Sequence, residues 1–464
     1  MAVRAATTLL VLAALTAVLP RSPAPQPDRR PNIVLILSDD QTFDSFPHDP
    51  SVMPYLQGAV QDPAEHWTTF TNAFLSTPLC CPSRATILTG EYSHHTGVQT
   101  NYGGSHFDES STIATWLHDS GYLTGLIGKY LNGYPFGHSP YVPVGWDRWL
   151  AKMQGGQESL YYDYVFSDQG FPVAHGDSPQ DYSTDVETAA ATDFIRTAPA
   201  DRPFFLEVTP SAPHRPWTPA PQDAGSYAQM PVFEKPSFGE ADVSDKPAWV
   251  RALPPYSTDQ LDALREVRRR SFEAVRGVDR MVAGVIQALR DKGVLDNTVV
   301  FFLTDNGLSL GEHRWVGKTC AYDECIRTPF AVRDPWVPAH TDASLISNVD
   351  LAPTIAELAA VRPDSPVDGK SLLPLLDPTR QRVTPWRTGV FLEYVGDERI
   401  PGWAGIRTAD FLYVEYVTGE RELYDLTGKA GPADPYELVN QASNPAYAQV
   451  AAELASRLAQ LRAA

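Results

Sequence analysis

The chain has 464 residues, a formal net charge of −19, and 43% hydrophobic and 11% aromatic residues. That length and apolar content suit a large packed domain with a smaller companion and exclude wholesale disorder. The acidity argues against nucleic acid as a partner and gives a polyanion no long-range steering, so an anionic substrate has to be held by local charges and a metal.

Residues 1–20 read as a secretory signal, with Arg4 as its positive start and an apolar run over 5–19 too short for a comfortable membrane span. A proline-rich linker follows, and 1–30 is assigned to signal plus linker, which puts the protein in a secreted, extracellular or cell-envelope location. No other stretch is long and apolar enough to cross a bilayer.

Residues 31–40 form an apolar, β-branched run that closes on Asp39-Asp40. Its length and composition predict a strand buried on both faces. The same pattern recurs at 122–128 before Lys129, at 203–209 before Ser211-Ala212-Pro213-His214, and at 298–304 before Asp305-Asn306-Gly307. Each run ends in polar or charged residues, where ligands bind in open α/β sheets. Helical periodicity covers 111–120, 185–196 and 258–292, the last closed by Gly293. Helices and strands therefore alternate, and the fold class is α/β, a large mostly parallel sheet flanked by helices. Residues 215–257 are proline-rich and aperiodic, and predict a long surface excursion near the site. From about 384 the texture changes to short antiparallel strands at 390–394, 403–407 and 411–416, then an amphipathic helix at 447–463. A catalytic domain over 31–383 and an α+β subdomain over 384–464 are expected.

Two of the four cysteines stand together in Cys80-Cys81-Pro82-Ser83-Arg84. Pro82 suits the first helical position and Gly90 the stop. Cys80 then sits just ahead of a helix N-terminus, which favours an anion, and Arg84 can lean back over the same spot. A cysteine, a helix N-terminus and an arginine describe an anion site with a nucleophile in it. Asp39, Asp40, Asp305 and Asn306 are hard oxygen ligands from two strand ends. They suit Ca2+, with Mg2+ second, provided the chain is already turning at Asp39-Asp40. Cys320 and Cys325 are either a small-loop disulfide or two free thiols.

Cys80-Cys81-Pro82-Ser83-Arg84 resembles the C-x-P-S-R signature of the type I sulfatases, members of the alkaline phosphatase superfamily. The resemblance implies that Cys80 is oxidised to formylglycine by a formylglycine-generating enzyme and becomes both catalytic residue and metal ligand. It implies metal ligation by Asp39, Asp40, Asp305 and Asn306, and sulfate-facing roles for Arg84, Lys129, His214 and Lys318. The family often carries Lys-x-His at the first lysine, whereas here Leu131 replaces that histidine. The replacement falls to His94, His95 or Asn132, with His95 favoured. The Lys-Tyr-Leu-Asn form at 129–132 is similar to the N-acetylglucosamine-6-sulfatase and extracellular heparan sulfatase branch. The activity implied is release of sulfate from a sulfated carbohydrate or aryl sulfate, and the branch resemblance points to 6-sulfated N-acetylglucosamine units. The alternatives are a phosphate or phosphonate ester hydrolase of the same superfamily and a non-catalytic secreted glycan-binding protein.

Overall fold

The computed structural model describes residues 30–47, 49–230, 234–377 and 386–463. The signal and linker assigned to 1–30 lie outside these residues except for Arg30, and so does the expected domain boundary at 383/384.

Among the described residues, twelve strands come before residue 350: β1 Asn32–Ser38, β2 Trp67–Phe74, β3 Leu123–Gly128, β4 Arg148–Lys152, β5 Val165–Asp168, β6 Phe171–Ala174, β7 Phe204–Thr209, β8 Thr298–Thr304, β9 Ser309–Leu310, β10 Val316–Gly317, β11 Phe330–Arg333 and β12 His340–Ser347. Ten of them form one mixed sheet in the order β12-β2-β11-β8-β1-β7-β3-β4-β5-β6. The run β8-β1-β7-β3-β4 is parallel throughout. Antiparallel pairs flank it at β11 and at β5-β6. The four strands expected from their apolar runs are β1, β3, β7 and β8, and they are sheet neighbours.

Every residue of β1 is buried, because helices cover both faces. Ile33, Leu35 and Leu37 pack on the side of the helix Cys80–Thr89, while Val34 and Ile36 pack on the side of the helix Thr258–Lys292. This is the continuous apolar strand that a two-sided parallel sheet requires. The long helix starts on a Ser257–Gln260 capping box and ends at Gly293 in the left-handed region, φ 74°.

A separate antiparallel sheet joins β13 Val390–Gly396, β14 Pro401–Arg407, β15 Phe411–Tyr416 and β16 Arg421–Asp425 in sequence order. The helix Ala448–Arg462 covers one face through Leu454 and Leu458. Among the described residues no helix is long and apolar enough to cross a membrane.

One expectation changes, one open choice is settled, and one segment proves anchored. The helix of the cysteine pair begins at Cys80, with Leu79 extended as N-cap, so Cys80 lies in the first turn and Pro82 is its third residue. Proline is tolerated there because first-turn N–H groups have no intrahelical partner. The described residues of 215–257 run mostly over the surface and are anchored by Tyr227, Val243, Lys246, Trp249 and Val250, which are buried. This segment is stitched to the β9–β10 hairpin by the Gly239 N–H on the Gly311 carbonyl at 2.9 Å. Cys320 and Cys325 are joined in a disulfide.

Gly128 closes β3 at φ 118°, and a Cβ there would overlap the carbonyl oxygen of Thr209 on β7. That close approach lets the Lys129 N–H bond the same carbonyl at 2.7 Å. Gly128→Ala is expected to lower unfolding free energy by about 1–3 kcal/mol or more. Urea unfolding of the two proteins checks this, and equal midpoints would refute it.

Candidate active site

The carboxyl ends of β8, β1, β7 and β3 deliver Asp305-Asn306, Asp39-Asp40, His214 and Lys129 to one edge of the sheet. Asp40 takes a left-handed conformation, φ 60°, so the chain turns there as sharing one ion requires. Its N–H donates to Asp305 Oδ1 at 3.2 Å, tying the two strand ends together.

The first turn of the helix Cys80–Thr89 places Cys80 over this edge. Its Sγ lies 3.6 Å from Asp39 Oδ1 and 3.8 Å from Asp40 Oδ1. Lys318 Nζ reaches both Cys80 Sγ and Asp40 Oδ1, each at 2.6 Å. Lys129 Nζ donates to Asp39 Oδ2 at 2.6 Å. One turn along the same helix, Arg84 Nε donates to Asp305 Oδ2 and Nη1 to the Lys129 carbonyl, both at 2.8 Å. His214 Nδ1 donates to the Arg215 carbonyl at 2.7 Å, which turns Nε2 toward Asp40 Oδ2 at 3.5 Å.

Asp39, Asp40, Asp305, Asn306, Cys80 and Arg84 are buried, while Lys129, His214 and Lys318 keep a little exposure. Burial pushes the carboxyls of Asp39 and Asp40 up, but the facing cations win. Lys129 and His214 hold Asp39 below its ordinary value, and Lys318 and His214 hold Asp40 down to about 2. Burial raises the Cys80 thiol well above its ordinary value in spite of Lys129 and Lys318. An unmodified Cys80 is therefore a protonated, poor nucleophile.

Asp39, Asp40, Cys80 and Asp305 each offer a ligand atom within 4.8 Å of the others. Asn306 adds a further oxygen. Its Nδ2 is spent on Asp40 Oδ1 at 2.6 Å and the Gly307 carbonyl at 3.0 Å, while Oδ1 is buried without a hydrogen-bond partner. A buried oxygen beside three carboxylates fits a hard divalent cation. The formal charges agree. Three carboxylates face Arg84, Lys129 and Lys318, so a divalent ion leaves an excess that an anionic substrate offsets.

Asp39, Asp40, Cys80, Arg84, Lys129, His214, Asp305, Asn306 and Lys318 meet at this edge, whereas His94 and His95 do not. His95 is 39% exposed and its Nδ1 pairs with Asp368 Oδ2 at 2.8 Å, and His94 pairs with Glu393 at the same distance. Several supporting residues had no sequence signal. The Tyr161 hydroxyl donates to the His214 carbonyl at 2.5 Å, and Asn101 Oδ1 accepts the Cys81 N–H at 3.0 Å. Lys152, paired with buried Glu187 at 3.4 Å, bonds Ser211 Oγ at 3.0 Å behind the His214 loop.

Comparison with known proteins shows the family of the chain. The sulfatase family profile matches residues 31–361, and the profile of the C-terminal part of N-sulphoglucosamine sulphohydrolase matches 311–464. N-acetylglucosamine-6-sulfatase of Capra hircus is 32% identical over 394 residues, covering 82% of this chain and 69% of the relative. An extracellular sulfatase homologue of Drosophila melanogaster is 32% identical over 363 residues, 75% of this chain and 31% of its own. A solved structure in complex with its substrate D-glucosamine-2-N,6-O-disulfate superposes with a TM-score of 0.78 at 25% identity, over 93% of this chain and 97% of that one. The phosphonate monoester hydrolase of Agrobacterium radiobacter shares the fold, with a TM-score of 0.73 at 24% identity, over 94% of this chain and 96% of its own.

Glu207, in the middle of β7, is buried beneath this edge. Burial pushes its carboxyl up to about 7, and Arg84 only partly opposes this. The folded state thus keeps a proton that the unfolded chain releases near 4.5. The stability this contributes is full below that pH and is lost as pH rises toward 7, by about 3 kcal/mol in all. Wild type is expected to lose stability between pH 5 and pH 8 relative to Glu207→Gln, read as urea midpoints. Parallel pH profiles for the two proteins would refute it.

Proposed function

This chain belongs to the sulfatase family and hydrolyses sulfuric esters, and we propose that it removes 6-O-sulfate from N-acetylglucosamine units of a sulfated glycan outside the cell. The observation that carries the active-site assignment is the position of Cys80 in a helix's first turn, 2.6 Å from Lys318 and beside three buried aspartates. The substrate reading rests on the sulfated-glucosamine relatives. The extracellular reading rests on the signal-like segment 1–20 and on an extracellular sulfatase among the relatives.

Asp39, Asp40, Asp305, Asn306 and residue 80 would hold one Ca2+, with Mg2+ the weaker fit for so irregular a donor set. A divalent ion there supplies charge stabilisation to a sulfuryl oxygen. Oxidation of Cys80 to formylglycine, by a formylglycine-generating enzyme, supplies an aldehyde hydrate as nucleophile where a buried thiol would not serve.

The chain's own residues do the rest. Arg84 is fixed by Asp305 and the Lys129 carbonyl, and keeps positive charge beneath the site. Lys129 and Lys318 present ammonium groups to the anion and spread its developing charge. His214, with Nδ1–H committed to the Arg215 carbonyl, protonates the departing alcohol oxygen from Nε2, and Lys318 is the other donor within the cluster. His95 stays in the proposed set as the stand-in for the histidine replaced by Leu131, a role that would require its ring to leave Asp368. The two matching profiles overlap over 311–361, so neither marks a boundary, and we keep 31–383 as catalytic domain and 384–464 as subdomain.

The phosphate or phosphonate ester alternative rests on a shared fold alone. A non-catalytic glycan-binding role is set aside by the sulfatase membership.

Peptide mass spectrometry across residue 80 of native protein is expected to show a loss of about 18 Da relative to cysteine, the conversion of CH2SH to CHO. An unmodified cysteine in active enzyme would overturn the formylglycine assignment. Cys80→Ser is expected to abolish multiple turnovers, and sustained turnover would refute the nucleophile's identity. His214→Ala is expected to lower kcat on a 6-sulfated glucosamine by about 10²–10⁴, and His95→Ala by far less. Faster cleavage of a matched phosphate ester than of the sulfate ester would overturn the substrate reading.

A further inference from the structure

His313 follows β9 in the hairpin that leads to Lys318, yet it takes no part in the active site. It is 1% exposed and held at φ 51°. Its Nδ1 lies 2.8 Å from Glu240 Oε2. A carboxylate beside a neutral imidazole accepts a hydrogen bond from Nδ1–H, which leaves Nε2 as a bare lone pair. That lone pair faces Glu324 Oε2 at 3.8 Å. His313, Glu324 and Glu437 offer ligand atoms that all lie within 4.8 Å of one another. Among the described residues, His313 Nε2, Glu324 Oε2 and Glu437 Oε1 are buried and have no hydrogen-bond partner.

The other atoms of these side chains are spent. Glu324 Oε1 accepts from Lys235 Nζ at 3.0 Å, and Glu437 Oε2 accepts from the Asp323 N–H at 3.1 Å. The His313 ring is clamped flat against Tyr322, with centroids 3.9 Å apart. Three acceptors are thus aimed at one another from fixed positions. A shared proton does not resolve this, because 3.8 Å is too long for a hydrogen bond. The same separation suits two ligands each about 2.0–2.2 Å from one ion.

We propose that His313, Glu324 and Glu437 form a second, structural metal site, selective for Zn2+. An imidazole with two carboxylates favours zinc over the hard cations that suit the all-oxygen set at Asp39, Asp40, Asp305 and Asn306. Glu240 is the positioning residue that orients the ligand through the far ring nitrogen, a frequent arrangement at zinc. The three ligands come from the β9–β10 hairpin, from the short helix Asp323–Ile326 beside the disulfide, and from the segment after β16. An ion there ties the C-terminal segment to the hairpin that carries Lys318.

The test is metal content of the whole chain. Protein equilibrated with Ca2+ and micromolar Zn2+, then desalted, is analysed by inductively coupled plasma mass spectrometry. We expect one zinc per chain in wild type and in Asp40→Asn, and none in Glu437→Gln or His313→Gln. Glu240→Gln is expected to bind zinc about 10–100-fold more weakly. Folded wild type without stoichiometric zinc overturns the proposal, whatever the variants do. So does zinc that is lost in Asp40→Asn but kept in Glu437→Gln, which would place it in the active site. Cobalt substitution gives a second readout on wild type alone. A visible d–d spectrum displaced by zinc and unmoved by excess Ca2+ is expected, and its displacement by Ca2+ would overturn the assignment.

Discussion

Asp39, Asp40 and Asp305 are almost completely buried at the edge of a sheet, and the rest of the molecule is arranged to make that tolerable. A carboxylate taken out of water costs several kcal/mol unless cations are buried with it in good geometry. No single element can bring three cations to one place. Arg84 comes from the helix Cys80–Thr89, Lys129 from the end of β3, and Lys318 from just beyond the β9–β10 hairpin. The constraint that balances the carboxylates also sets Cys80 over them, since Cys80 and Arg84 share one helix and its rigid spacing. The position of Cys80 is in this sense a by-product of charge balance.

Behind these ion pairs lies a layer of polar contacts that fix loops which would otherwise be free. Lys152 and Glu187 form a buried pair that braces Ser211, and Tyr161 holds the His214 carbonyl. Burial pushes Glu187 up to about 7 and Lys152 down, so this brace carries a desolvation cost, which its mutual attraction and the Lys152 hydrogen bonds to Leu160 and Ser211 offset in part. On the opposite side, the hairpin bearing His313 is held by residues 237–240 and by Glu324. Lys318 thus rests on a platform shared between the large sheet and the C-terminal segment.

Much of this was legible in the chain. The four apolar runs that end in polar residues are β1, β3, β7 and β8, because a strand buried on both faces needs uninterrupted apolar side chains and leaves a simple signature. Legibility failed where a residue's role depends on a partner far away in sequence. Nothing local marked Glu422 to Asp425 as part of a fourth strand, since that segment becomes β16 by pairing with β15. Nothing near His95 in the chain shows that its Nδ1 pairs with Asp368, 273 residues on. The proline-rich segment 215–257 lacks periodicity, yet it is packed, because its contacts are single buried side chains and not a repeating face.

The sequence by itself determined the α/β class, the central strands, and the residue types of the site, because hydrophobic periodicity and short motifs act over a few residues. It also carried the sulfatase signature in Cys80-Cys81-Pro82-Ser83-Arg84. Only the tertiary structure decided that β8, β1, β7 and β3 lie side by side, that Asn306 Oδ1 is left without a partner at the aspartates, that Cys320 and Cys325 are bonded, and that His313, Glu324 and Glu437 converge. Strand order, burial and electrostatic pairing act between residues hundreds of positions apart, and no local pattern encodes which of them will meet.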